Sequence, residues 1–199
     1  MNRITTYTTR LAKVEDKKRS LVEMVYIFLI CAMIGWVVEV CFVYATFGRF
    51  SDRGMLFGPF CSIYGFGAII LYLLFYNLKP SKVNIPYAFF TSAVFMGAFE
   101  LISGLLLKYV FNIEMWNYRG SFLVILDYTT VPILIGWGIL GTCYIFFMQP
   151  FILKIISFVP QNITKRLALF IVVGYFINFA FSSFNIYINP EVLYNLVHP

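Results

Sequence analysis

The chain has 199 residues, of which 61% are hydrophobic and 12% charged, with a formal net charge of +6 and a mean hydropathy of +0.83. A soluble domain carries roughly a quarter charged residues, so this composition excludes one and describes an integral membrane protein. The basic excess needs no nucleic acid, because a basic stretch beside an apolar segment is ordinarily a topology signal held by anionic lipid.

The elements follow in chain order. Residues 1–20 form a basic arm, expected on the cytoplasmic side. The first apolar segment is predicted over Leu21 to Phe47. It is longer than the 7 to 15 residues of a signal-peptide core and should stay as a membrane helix. A second segment, Met55 to Leu78, carries Gly58-Pro59 near its start. That pair predicts a broken or re-entrant entry, tolerated only where the freed backbone groups meet protein or water. Further segments are predicted over Pro86 to Phe111, Phe122 to Met148 and Leu167 to Ile188. The runs are long enough for a ~30 Å hydrocarbon core and do not alternate, so helices are expected rather than a barrel. The expected fold is an all-α membrane protein, a bundle of about five transmembrane helices forming a single domain over 21–199.

Arg3, Arg10, Lys13, Lys17, Lys18, Arg19, Lys79, Lys82, Lys154, Lys165 and Arg166 fall on one side of these segments; Arg49, Arg53, Lys108 and Arg119 fall on the other. The positive-inside rule then places the N-terminus in the cytoplasm and the C-terminus outside, in a multi-pass protein of the cell membrane. Cys31, Cys41, Cys61 and Cys143 lie in apolar segments without a CxxC pair and read as small buried hydrophobes. His198 is the one histidine, which leaves no cluster for a metal, and no cofactor is expected. The sequence has no GxxxxGK[ST] loop, so any ATP hydrolysis belongs to another chain.

Ionisable residues inside apolar segments carry the functional signal. Glu39 lies in the first, behind Ala32 and Gly35 at helical spacing; Glu100 lies in the third, within the small-residue stripe Ala93, Gly97, Glu100, Gly104. Such stripes let helices pack closely and place both carboxyls at helix seams. At 1.5 Å per residue Glu100 lies about 21 Å from Pro86, in the outer half of the membrane. Glu39 and Asp127 are expected at the same depth, with Arg49, Arg53, Lys108 and Arg119 as the nearest cations and Asp52 and Glu114 beside them. A lone carboxylate at the centre of a membrane helix costs about 2.5 to 3.5 kcal/mol, so each must pair, meet water or take a proton. An inter-helix ion pair that only sets packing is the plain alternative.

The stretches GWVVE…GRFSDRG and GAFE…EMWNYRG follow one plan: a glycine, a glutamate, an external segment and an Arg-Gly before an inward helix. This suggests a parallel duplication of helix pairs with the fifth helix appended. In that fifth helix Gly174, Asn178, Ser182 and Asn185 form a polar stripe of the kind that joins helices. Trp116, Tyr118, Phe47 and Phe50 suit the external interface, whereas Trp36 and Trp137 lie deeper, where packing is the simpler role.

In order and spacing the blocks GWVVE, GRFSDRGMLFGPFCSIYGFG and FELISGLLLKYVFNIEMWNYRG resemble the ABC-transporter type IV permeases, the CmpB-like group of small bacterial membrane proteins. The likeness spans roughly Gly35 to Gly141. It carries over the glutamates Glu39 and Glu100, Arg53 with Gly54, the block Gly58, Pro59, Tyr64, Gly65 and Gly67, and the motif Trp116, Asn117, Tyr118. The family pattern usually has an acid where this chain has Asn117. The resemblance implies an inner-membrane permease.

Two functional readings, and a third without a ligand, stand at this point. In the first, a permease or solute-binding subunit holds a polar ligand or proton at Glu39, Arg53 and Glu100, with Asp127, Trp36, Tyr64, Trp116, Asn117, Tyr118 and Arg119 around it. Its partners would be membrane lipid and either a second copy or an ATPase touching Lys79 to Asn84 or Gln149 to Arg166. In the second, a membrane enzyme uses the paired carboxyls as acid and base on a lipid or lipid-linked substrate at the outer leaflet, although no nucleophile constellation stands out. In the third, the chain is an assembly subunit of a membrane complex.

Overall fold

The computed structural model describes residues 3–50, 54–76 and 83–189, with side chains from Leu21 onward except those of Phe47 and Tyr76. Its helices are α1 (Arg3–Phe47), α2 (Ser62–Tyr76), α3 (Ile85–Phe111), α4 (Val131–Cys143), α5 (Gln149–Phe158) and α6 (Gln161–Ile188). A two-stranded antiparallel hairpin, β1 (Val124–Ile125) with β2 (Thr129–Thr130), precedes α4. Among the described residues four stretches are long and apolar enough to cross a membrane: Leu21–Thr46, Ile85–Phe111, Val131–Phe158 and Gln161–Ile188. The architecture is the all-α membrane bundle that the hydropathy predicts.

The third long span is α4 and α5 joined by a π-helical turn, Tyr144–Met148. Pro150 explains the turn, since its ring would clash with the carbonyl four residues back and it has no N–H to offer. The helix therefore runs on to Phe158, past the predicted end of the segment at Met148, and only Val159 and Pro160 separate α5 from α6. The predicted helix from Phe122 is corrected too, because β1 and β2 take up the residues before Val131.

The second segment is the most irregular. Gly54 to Phe60 is bent chain and α2 has 15 residues, about 22 Å, short of the ~30 Å core. The Cys61 N–H donates to the carbonyl of Ala32 on α1 at 3.0 Å. Ala32 lies about 16 Å along a span of about 39 Å, so α2 begins near mid-membrane and irregular chain fills the half beyond it. The backbone groups this exposes must be satisfied by protein. Asn178 on α6 does so, accepting from the Phe57 N–H at 3.1 Å and donating to the Phe57 carbonyl at 2.8 Å, with Ser182 Oγ accepting from the same N–H at 3.1 Å. Ser62 and Tyr175 hydrogen-bond at 3.0 Å below them.

The closest helix pairs are α1 with α2 and α3 with α4, and glycines make both possible. Gly35 faces the ring of Tyr64, and Gly97 faces Leu134, each with no room for a methyl group. Ile27, Leu71, Tyr72, Met96, Trp137, Tyr144 and Ile152 form the core where the two pairs meet.

Candidate functional site

Glu100 is 5% exposed on the buried face of α3, beside Gly97 and Gly104. Its carboxylate accepts three hydrogen bonds: from Tyr118 Oη, in the connection after α3, at 3.1 Å, from Thr129 Oγ1 of β2 at 2.8 Å and from Trp137 Nε1 of α4 at 3.1 Å. None of these donors is a cation. The sequence leaves an ion pair, water or a proton open for this carboxyl; here the buried acid accepts from neutral donors, another way such a group is accommodated.

Glu39 is half-buried on α1 and accepts from Tyr64 Oη, in the first turn of α2, at 2.8 Å. Tyr64 in turn lies against Trp137, with ring centroids 5.2 Å apart and planes inclined by 47°. Glu39, Tyr64, Trp137 and Glu100 therefore form one connected set across α1, α2, α4 and α3. The same plan occurs in each helix pair. A glutamate follows a glycine on the first helix and accepts from an aromatic donor on the second, and the two aromatic rings touch between the pairs.

The segment between α3 and α4 holds the rest. Trp116 Nε1 donates to the Tyr128 carbonyl at 3.1 Å, and Asn117 accepts from the Arg119 N–H at 2.7 Å while its amide donates to Glu114 at 2.9 Å. Glu114 also accepts from Tyr128 Oη at 3.1 Å and lies 3.7 Å from Lys108 Nζ. Asp127 sits in the hairpin turn, paired with the exposed Arg119 at 2.9 Å, rather than on a helix beside Glu100 as its spacing suggests. Trp36 is half-buried on α1. Gly58, with a φ of 88°, and Pro59 lie in the irregular entry to α2. Arg53 lies outside the described residues, as do Lys79 to Lys82.

Thr129 and Trp137 are the contributors that sequence reading did not place at the site. For Trp137 a signal existed, because a buried indole N–H needs a partner and Glu100 is the acid at its depth. For Thr129 there was none. A further carboxyl–tyrosine pair lies toward the opposite end of α1, where Tyr72 Oη donates to Glu23 at 2.7 Å.

Four long apolar spans in an all-α bundle define a polytopic helical membrane protein, in which Glu100 is buried among Tyr118, Thr129 and Trp137. The model of the family described as "Putative ABC-transporter type IV" matches residues 26–183, far more than half of the chain, and the protein belongs to that family. The match encloses Glu39, Glu100 and the donors to them described above. No curated protein and no solved structure matches the chain.

Proposed function

We propose that this protein is the membrane-embedded subunit of an ABC-type transport system, binding a polar solute or a proton at Glu39 and Glu100 in the outer half of the bilayer. One observation carries the reading: two intramembrane carboxyls, one from each helix pair, are joined through the Tyr64–Trp137 contact. Where transporters are built from repeats, the substrate site lies where the repeats meet. The irregular chain at the start of α2 suits the same reading, since non-helical backbone at membrane depth occurs where it is buried in protein or lines a cavity.

The orientation that fits is N-terminus in the cytoplasm, with the basic arm beside the inner leaflet and the hairpin end outside. An ATPase subunit or a second copy would complete the machine, because the chain has no nucleotide-binding loop of its own. The test is purification in native lipid, followed by mass spectrometry of what accompanies the wild type, Glu39→Gln and Glu100→Gln. A solute or subunit lost from both variants supports the reading. Identical companions in all three would make the carboxyls packing devices.

A further inference from the structure

A cavity of about 250 Å³ lies among α1, α2, Met96 of α3, α4 and the π-helical turn. Its inner walls are buried and apolar: Cys31 is 8% exposed, Leu71 3% and Met96 2%. Its aromatic walls are Tyr64, Trp137 and Tyr144. The cavity is not enclosed on every side. The exposed residues among its walls are Ile34 on α1 and Leu140 and Cys143 on α4. Each lies inside a membrane span, at least about 13 Å from either end of it. What stands outside those walls is therefore the hydrocarbon of the bilayer rather than head groups or water.

The cavity is also elongated. Its walls run from Cys31 to Val38 on α1 and from Tyr64 to Leu71 on α2, in each case about 10 Å of helix. Spread over that length, its volume leaves a cross-section of about 25 Å², the scale of one extended alkyl chain. A vacant cavity in a packed bundle costs free energy in proportion to its volume, and water does not fill one whose walls are apolar. In a soluble protein such a space stays empty. In a bilayer the surrounding solvent is itself hydrocarbon and can fill it.

We infer that the cavity is a binding site for one alkyl chain of a bilayer lipid. The chain lies along α1 and α2, supplies contacts to Leu71 and Met96, and rests on the rings of Tyr64 and Trp137, whose contact joins the two glutamates. The packing of the two helix pairs against each other then includes a lipid. This site is independent of what Glu39 and Glu100 bind, so it stands or falls apart from the solute reading.

The test uses the full chain in nanodiscs of phosphatidylcholine that carries a diazirine in the distal half of its acyl chain. After irradiation, the adducts are placed by peptide mass spectrometry. They are expected on Cys31, Leu71 or Met96, which a chain on the outer surface of the bundle does not reach, as well as on exposed residues such as Phe90 and Val94. Adducts confined to exposed residues would overturn the site, whether the cavity is then empty or filled by a second copy. Ala68→Phe puts a ring into the space from the α2 wall. In that variant the inner adducts should fall to background while those on Phe90 and Val94 persist. Undiminished inner adducts, in a variant that elutes as the same folded species, would also overturn the site. Should Ala68→Phe fail to fold, the wild-type adducts decide the matter alone.

Discussion

Tyr64 and Trp137 touch with ring centroids 5.2 Å apart, and each gives its hydrogen to a different glutamate. The contact is thus a hinge point between two otherwise separate carboxyls, Glu39 on α1 and Glu100 on α3. A change at either ring reaches both acids.

Trp137→Phe keeps most of the ring and removes one donor from a buried carboxylate. Hydrogen bonds to charged groups contribute about 1.5 to 3 kcal/mol, so we expect a loss of that order in thermal-unfolding experiments in detergent. Tyr64→Phe should cost less, because Glu39 is half-buried and water can replace the hydroxyl. The double variant should depart from additivity, as residues in contact do. Strict additivity would show that the two rings do not couple the acids.

The irregular entry to α2 depends on α6. Asn178→Leu preserves bulk and leaves the Phe57 carbonyl without the donor observed here, while Ser182 still accepts from the N–H. Phe57 is exposed, but where lipid replaces water a backbone carbonyl left without its donor still costs free energy. Hydrogen exchange should quicken over residues 54–61 and remain as in the wild type over α3; uniform behaviour would refute the tie.

Glycines separate into two kinds. A methyl at Gly35 would run into the Tyr64 ring, so Gly35→Ala should lower the unfolding temperature and weaken the α1–α2 pair. Gly174 faces open space, and Gly174→Ala should be neutral or stabilising by up to about 1 kcal/mol. Equal penalties would mean that the α1–α2 approach is looser than its geometry implies.

The hairpin should also respond to acid. The Asn117 amide donating to Glu114, aided by Tyr128 and the charges of Lys108 and Arg119, holds this carboxyl below its usual range. A depressed carboxyl contributes stability above its unfolded value, near ~4.3, and loses it as pH falls through the lower folded value. Trp116 fluorescence should therefore be flat from pH 7 to about 5 and change below about 4, with a smaller change in Glu114→Gln. An unaltered acid transition in that variant would assign it elsewhere.

The membrane class and the long spans were legible because hydropathy reports directly on the solvent of a segment. The re-entrant start of α2 was legible from Gly58-Pro59, and the joining role of Asn178 and Ser182 from their helical spacing. The hairpin was not. Phe122 to Ile125 is an apolar run that suits strand or helix equally, and Leu126-Asp127 carries none of the Asn-Gly chemistry that marks a tight turn. Glu100 was legible as a buried acid, yet its partners were not, because Thr129 and Trp137 are ordinary packing residues until the chain folds back on itself. Charge-counting looks for an arginine, and neutral donors leave no charge to count.

The mid-membrane start of α2 has an electrostatic result. Peptide dipoles aligned along a helix leave roughly half a positive charge at its N-terminus. Tyr64 stands in the first turn of α2, so that positive end lies beside Glu39; Thr130 caps α4, so a second lies beside Thr129 and Glu100. The field that favours negative charge at this depth therefore comes in part from the backbone itself. It cannot be titrated away, and no side-chain substitution that leaves the helices in place will remove it.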